Sequence, residues 1–102
     1  MDTQRILELN PESFVLLVRQ LRRFHDDADL FEVDLDNMRV KGDLRVIQNS
    51  FDKPIIGRTR TLDMAKRAAK ASLPFVKIPK DLELDAEFTT LVKNKGTTLL
   101  YI

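Results

Sequence analysis

Several residue types that often define small functional sites are missing or scarce in this chain. Its 102 residues include no cysteine and no tryptophan, one histidine, one tyrosine and three glycines. Without cysteine, a disulfide framework, a thiolate metal site and a cysteine nucleophile are excluded. A phosphate-binding Walker A loop is excluded as well, because Gly57 is not followed by the Lys-Ser/Thr pair of that motif.

Long hydrophobic segments are also missing. The longest apolar run extends from Phe14 to Val18, whereas a membrane-spanning helix needs roughly 20 residues. The first residues, Met-Asp-Thr-Gln-Arg, do not resemble a signal peptide or a myristoylation signal. We therefore expect a soluble cytoplasmic protein that forms a single domain over residues 1–102, a length sufficient for one hydrophobic core.

The charged residues balance only when the whole chain is summed. There are 17 Lys and Arg residues against 16 Asp and Glu residues, a formal net charge of +1. Residues 1–52 carry 7 basic and 11 acidic groups, residues 53–80 carry 8 and 1, and residues 81–102 carry 2 and 4. The basic segment 53–80 indicates an anionic partner, unless folding brings the acidic segments onto it.

Three segments have apolar residues at helical spacing. The first follows Asn10, the expected N-cap, and extends to Ala28. The second is the alanine-rich segment from Thr61 to Ser72, and the third covers residues 82–95 before Gly96. Residues 2–9 fit either a short strand or one helical turn.

Residues 30–60 instead alternate between apolar and charged side chains, the period of a β-strand. A two-residue turn at Asp36-Asn37 predicts a hairpin in which Asp34 faces Arg39 and Glu32 faces Lys41. Further strands are predicted at Ile55 to Arg60, Phe75 to Ile78 and Thr97 to Ile102.

These elements predict an α+β two-layer domain in the order α-β-β-β-α-β-α-β. An antiparallel meander is followed by a C-terminal β-α-β unit over the last 28 residues. The two strands of that unit are expected to be parallel, with a right-handed crossover.

The basic segment supplies the candidate binding residues. Residues 57–61 lead directly into a predicted helix, so backbone N–H groups, the helix dipole and two arginines converge there, an arrangement that suits phosphate. The sequence therefore predicts a small non-enzymatic nucleic-acid-binding protein that contacts the phosphates of a duplex. The residues expected to contact nucleic acid are Arg58, Arg60, Lys66, Arg67 and Lys70.

The α-β-β-β-α order over residues 11–73 resembles the double-stranded-RNA-binding domain. Residues 57–73, GRTRTLDMAKRAAKASL, are similar to that family's last strand-to-helix segment. The matching positions are Ala65-Lys66, Ala68-Ala69 and Thr61, which stands at the family's serine. Leu62 and Asp63 stand where the family has two lysines that contact phosphates. The resemblance therefore implies the fold of the family and not its phosphate contact.

Two other functions fit the sequence. A protein-interaction module, such as an inhibitor, adaptor or accessory subunit, would present the basic segment to an acidic protein, and the strand Thr97 to Ile102 would join two copies in a homodimer. A metal-dependent hydrolase would bind Mg²⁺ through Glu32, Asp34 and Asp36. Cross-strand ion pairs explain those carboxylates without a metal, so we expect no metal, no cofactor, no catalytic residue and no membrane partner.

Overall fold

The computed structural model describes residues 4–39 and 43–102, in which strands and helices alternate. Two single 3₁₀ turns cover His25–Asp27 and Leu35–Asn37. The longest helices have 10 residues, and in the described part of the chain none has the length and apolar character needed to cross a bilayer. The elements are β1 (Ile6–Leu9), α1 (Phe14–Arg23), β2 (Leu30–Asp34), α2 (Leu44–Ser50), β3 (Ile55–Arg58), α3 (Leu62–Lys70), β4 (Phe75–Ile78), α4 (Ala86–Lys95) and β5 (Thr98–Tyr101).

The strands form one five-stranded sheet in the order β1-β2-β3-β4-β5, and all four strand pairs are parallel. The predicted α+β class with an antiparallel meander is therefore wrong, because the described strands build an α/β fold from repeated β-α-β units. The parallel pairing of β4 with β5 around a helix is confirmed.

The predicted hairpin fails because the described residues of its second strand do not form a strand. Leu35–Asn37 forms a 3₁₀ turn in place of the tight hairpin turn, and Leu44–Ser50 is helical. Asp43 caps this helix by accepting a hydrogen bond from the Arg45 N–H. Residues 40–42, which include Lys41 of the predicted pairing, lie outside the described residues.

Helix α1 begins later than predicted. Ser13, not Asn10, is the N-cap, and its hydroxyl accepts from the Leu16 N–H at 3.2 Å. The helix ends at Arg23, and the 3₁₀ turn continues the chain toward β2. Thr61 and Asp85 cap α3 and α4 in the same way, and Gly96 ends α4 in the left-handed conformation, with φ of 67°.

All four helices pack on one side of the sheet. A sequential strand order with right-handed crossovers places every connecting helix on the same face. One hydrophobic core accordingly joins Leu17, Ile47, Ala68 and Phe88, one residue from each helix, to alternate strand residues. The strand residues in that core are Leu9, Phe31, Val33, Ile55, Val76 and Ile78. The molecule is a slab of 38 × 37 × 23 Å, consistent with two layers.

Gly57 leaves room for two leucines over the central strand. It lies on the helix-covered face of β3, paired with Val33 on one side and Val76 on the other. A Cβ atom at this position would come within 3.0 Å of both Leu35 Cδ1 and Leu73 Cδ1. The absence of a side chain therefore lets these leucines fill the core above the central strand.

Within residues 4–39 and 43–102, no helix packs on the opposite face of the sheet, and we call it the helix-free face. Register places Glu8, Glu32, Ile56, Phe75 and Thr98 side by side across it. The next row toward the carboxyl end consists of Asp34, Arg58, Lys77 and Leu100. Charged side chains thus line one part of a surface that also contains large apolar residues.

Candidate functional site

A cleft lies at the carboxyl end of the sheet, where the chain leaves β2 and β3. Binding residues lie disproportionately on loops that a rigid scaffold positions, and here the ends of β2 and β3 and the loops after them line the cleft. The cleft has a volume of about 500 Å³. Its lining is polar apart from one residue and consists of Asp34, Asp36, Asn37, Arg58, Thr59, Arg60 and Ile102.

The loop after β2 is held in place by its own side chains. Asp34 accepts a hydrogen bond from the Asp36 N–H at 3.1 Å, which begins the 3₁₀ turn. The Asn37 amide donates to the carbonyls of Asn10 and Pro11 at 2.9 and 3.2 Å. These hydrogen bonds connect this side of the cleft to the loop that follows β1.

Asp36 connects the loop after β2 to the loop after β3. Its Oδ1 accepts from the Thr59 hydroxyl at 2.6 Å, and its Oδ2 accepts from the Arg60 N–H at 2.8 Å. Thr59 is buried, with 1% of its surface exposed. Both oxygens of Asp36 thus serve to fix the backbone before α3, so the role of this carboxylate is to shape the cleft.

A buried carboxylate lies beside the cleft on the helix-free face. Glu32 is 4% exposed, and it receives hydrogen bonds from Arg58 Nη1 at 2.7 Å and from Lys77 Nζ at 3.0 Å. A buried carboxylate of this kind requires paired charges, and here two cations on neighbouring strands supply them. We call Glu32, Arg58 and Lys77 the Glu32 cluster, in which one buried carboxylate accepts hydrogen bonds from two cationic side chains.

Arg58 is the member of the Glu32 cluster that reaches the cleft. Its Nη2 lies 3.3 Å from Asn10 Oδ1 and 3.6 Å from Asp34 Oδ2, and its Nη1 lies 4.0 Å from Glu8 Oε2. A guanidinium group with partners on three sides has little freedom to rotate. Arg58 is consequently held in a fixed orientation at the edge of the cleft.

Arg60 has a different environment. Its backbone is fixed by Asp36, but its side chain is exposed, and among residues 4–39 and 43–102 no carboxylate lies within 4.0 Å of its guanidinium. Helix α3 begins two residues later, so its N-terminal N–H groups and positive dipole end adjoin the same loop. Arg60 is therefore the cation of the cleft that is available to an incoming anion.

The five predicted nucleic-acid contacts do not lie on one surface. Arg58 and Arg60 line the cleft, whereas Lys66 turns toward α4 and pairs with Asp85 at 2.6 Å and Glu87 at 3.7 Å. The hydrogen bond to Asp85 raises the pKa of Lys66 and lowers that of Asp85. The acidic residues 81–87 thus compensate Lys66, while the remaining two predicted contacts, Arg67 and Lys70, are exposed on α3.

Sequence reasoning missed the residues that shape the site. Glu32 and Asp34 were assigned to Lys41 and Arg39, but Glu32 contacts Arg58 and Lys77 instead. The missed signal was that Asp34 to Asn37 and Arg58 to Arg60 each begin at the last residue of a buried strand and continue into the loop after it. Once those strands are parallel, the two segments meet at one edge. In the described part of the chain, no group of three His, Asp or Glu residues could hold a metal ion, and the trio Glu32, Asp34 and Asp36 forms none.

No protein-family model matches the chain, and a search of curated proteins finds no match. Over residues 11–73, where the sequence predicted the order α-β-β-β-α, the structure has the order α-β-α-β-α. Function must therefore be argued from the geometry of the cleft and of the Glu32 cluster.

Proposed function

We propose that the protein binds a small anionic ligand, one that carries a phosphate or carboxylate group, in the cleft at the carboxyl end of the sheet. The observation that supports this most directly is the position of Arg58 and Arg60 at one cleft, beside the N-terminus of α3. Guanidinium groups bind carboxylate and phosphate through paired hydrogen bonds, and a helix N-terminus adds further donors.

The two arginines have separate roles in this proposal. Arg58 is oriented by Glu32 and Asp34, which also offset its charge, so its role is to shape the wall of the cleft. Arg60 is exposed and closes on the anion with its guanidinium. Asp36 keeps the Arg60 backbone in place, so this motion involves the side chain alone.

The acidic residues of the cleft favour a compact ligand over a continuous polyanion. Asp34 and Asp36 stand among the lining residues beside the two arginines, so the formal charges of the lining cancel. An extended phosphate backbone would meet these carboxylates, whereas one anionic group can contact Arg60 and avoid them.

Calorimetric titration with inorganic phosphate and with citrate tests the proposal. We expect saturable binding that weakens with salt and that falls at least tenfold in Arg60→Ala, with partial recovery in Arg60→Lys. Arg67→Ala is the matched control, because Arg67 is an exposed arginine on α3 away from the cleft lining. Equal losses in the Arg60 and Arg67 variants, or no binding of either anion to the parent protein, would contradict the proposal.

Nucleic-acid binding stays a second candidate because Arg60, Arg67 and Lys70 are all exposed. Fluorescence anisotropy with a duplex at low salt separates the two proposals. If nucleic acid is the partner, Arg67→Glu with Lys70→Glu weakens binding for all sequences alike and reduces its salt dependence. If the cleft binds a small anion, this double variant leaves phosphate binding unchanged.

A further inference from the structure

A second recess lies in the helix layer, between α1 and α2. Its volume is about 170 Å³. We call it the α1–α2 groove, and it is lined by Val18, Leu21 and Arg22 of α1 and by Val46, Ile47 and Ser50 of α2. It shares no lining residue with the cleft at the carboxyl end of the sheet, so its role is independent of ligand binding there.

Most of the residues that line the α1–α2 groove are apolar. Leu21 and Ile47 are buried, at 3% and 4% exposure, and belong to the hydrophobic core. Val46 is 53% exposed. Val15 lies three residues before Val18, on the same side of α1, and is 60% exposed. Two large aliphatic side chains are therefore left in solvent beside a recess that is lined by core residues.

Two arginines of α1 accompany these apolar residues. Arg22 lines the groove, and Arg19, three residues earlier, lies on the same side of the helix. Both are exposed, and among residues 4–39 and 43–102 no carboxylate oxygen lies within 4.0 Å of either guanidinium group. Asp26, four residues after Arg22, pairs with His25 instead. The groove thus combines apolar side chains with positive charge that the described residues do not compensate.

The volume of the groove favours a side chain of another protein over a free small molecule. Pockets that enclose small ligands measure about 300–1,000 Å³, well above the volume of this recess. A smaller recess can instead receive one large apolar side chain, the kind of anchor that contributes much of the binding energy at protein interfaces. An amphipathic helix presents such anchors at regular spacing and binds in hydrophobic grooves through them.

The arginines determine which charge the partner carries. A guanidinium group binds a carboxylate through two parallel hydrogen bonds. Acidic side chains beside the apolar anchor would therefore pair with Arg22 and, one helical turn away, with Arg19. A basic segment would be repelled, because like charges across an interface are unfavourable and no acidic group offsets these arginines within the described residues.

We propose that the α1–α2 groove binds an acidic amphipathic helix of another protein. One apolar side chain of that helix occupies the groove beside Val18 and Val46, and its acidic side chains pair with Arg19 and Arg22. The sequence also indicated an acidic protein partner, but at the basic segment 53–80, whereas this surface belongs to α1 and α2.

Selection from a display library of random peptides, each about four helical turns long, tests the chemistry of the partner. We expect the enriched peptides to carry net negative charge and to repeat apolar residues at helical spacing. Enriched peptides without an excess of acidic residues, or no enrichment over an unrelated protein, would overturn the proposal.

Fluorescence anisotropy with an enriched acidic peptide tests the location of the site. We expect Val46→Glu and Arg22→Glu each to raise the Kd at least tenfold, and replacement of the acidic residues of the peptide by lysine to restore binding to Arg22→Glu. Ile6→Glu and Arg67→Glu are the matched controls, because Ile6 is 56% exposed on β1 and Arg67 is exposed on α3. Equal losses in the groove and control variants would overturn the proposal.

Analytical ultracentrifugation tests whether a second copy of the chain fills the groove instead. We expect the parent protein and Val46→Glu to have the same oligomeric state, since the proposed partner is a different protein. A parent dimer that Val46→Glu dissociates would show that the groove joins two copies, and this result would also overturn the proposal.

Discussion

Glu32 is the residue whose role differs most from what its sequence position suggested. Because Glu32 lies in a segment of alternating apolar and charged residues, its sequence position indicates a solvent-facing carboxylate with a cross-strand partner. In the structure Glu32 is 4% exposed, and its hydrogen bonds connect β2 to β3 and β4. The predicted pairing of Glu32 with Lys41 rested on a hairpin that does not form, and the partners of Glu32 are Arg58 and Lys77. The identity of the base was not predictable, because Arg58 and Lys77 are 26 and 45 residues away.

Replacing Glu32 by Gln keeps the shape of the side chain but removes the anion from the Glu32 cluster. We expect a loss of about 1–3 kcal/mol in the free energy of unfolding, because Arg58 and Lys77 lose a charged acceptor. The loss is moderated by water, which reaches both cations, since Arg58 and Lys77 keep 25% and 29% of their side-chain exposure.

Urea denaturation of the variant and the parent protein measures this loss. Glu83→Gln is the matched control, because Glu83 is exposed and is expected to change stability by less than about 0.5 kcal/mol. If Glu32→Gln were as stable as Glu83→Gln, the cluster would contribute nothing to the fold.

Among the elements, those with clear capping signals were predicted best. The helix from Leu62 to Lys70 follows its predicted cap Thr61, and the helix from Ala86 to Lys95 ends at the predicted Gly96. Local hydrogen bonds and backbone conformation decide these boundaries, so nearby residues contain the information.

Helix α2 was missed because its short apolar pattern fits two periods. Leu44 and Val46 alternate as in a strand, but the residues that are buried are Leu44 and Ile47, at helical spacing. Val46 is 53% exposed. A segment of seven residues is too short for its apolar pattern to distinguish a helix from a strand. The overlooked signal was Asp43, which caps the helix.

The single histidine connects two elements and makes their contact depend on pH. His25, in the 3₁₀ turn after α1, places Nδ1 2.9 Å from Asp26 and Nε2 2.6 Å from Asp52, which precedes β3. Its ring also packs edge-on against Phe51, and Lys53 Nζ donates to the His25 carbonyl. Hydrogen bonds to Asp26 and then Asp52 raise the pKa of His25 and lower the pKa of both carboxyls, while desolvation and, to a smaller extent, the charge of Lys53 oppose the rise.

A raised histidine pKa means that the folded state binds the proton more tightly than the unfolded state does. The stability from these contacts is therefore complete below the unfolded pKa of about 6.5 and is lost as the pH rises through the raised pKa. In acid, it is lost as the pH falls through the lowered pKa values of Asp26 and Asp52.

Thermal unfolding from about pH 5.5 to pH 8.5 checks this expectation. The difference in melting temperature between the parent protein and His25→Gln is expected to shrink steadily as the pH rises. A difference that stays constant over this range would show that the charged form of His25 does not stabilise the contact.

At the scale of the whole molecule, the sheet topology could not be predicted from local patterns. Strand segments such as Ile55 to Arg58 were located correctly, but the direction of their pairing depends on whether a helix or a tight turn connects them. One misread connection, between β2 and β3, therefore changed the fold class. The same error hid the cleft, because residues after β2 and β3 share an edge only when the strands are parallel.

Folding brings part of the basic segment 53–80 into contact with the two acidic segments, 1–52 and 81–102. The basic segment supplies Arg58 and Lys77 to the acidic Glu32 of the first segment, and Lys66 to Asp85 and Glu87 of the last. Specific pairs thus neutralise part of the basic segment, whereas the exposed cation of the cleft, Arg60, has no such pair within residues 4–39 and 43–102.

The most direct test of anion binding at this cleft is a phosphate titration of the ¹⁵N-labelled protein followed by two-dimensional NMR. The account predicts saturable amide shifts in residues 34–37 and 58–61, the segments that line the cleft, and their loss in Arg60→Ala. Shifts confined to residues 67–70 of α3, or small shifts spread evenly over the chain without saturation, would contradict it.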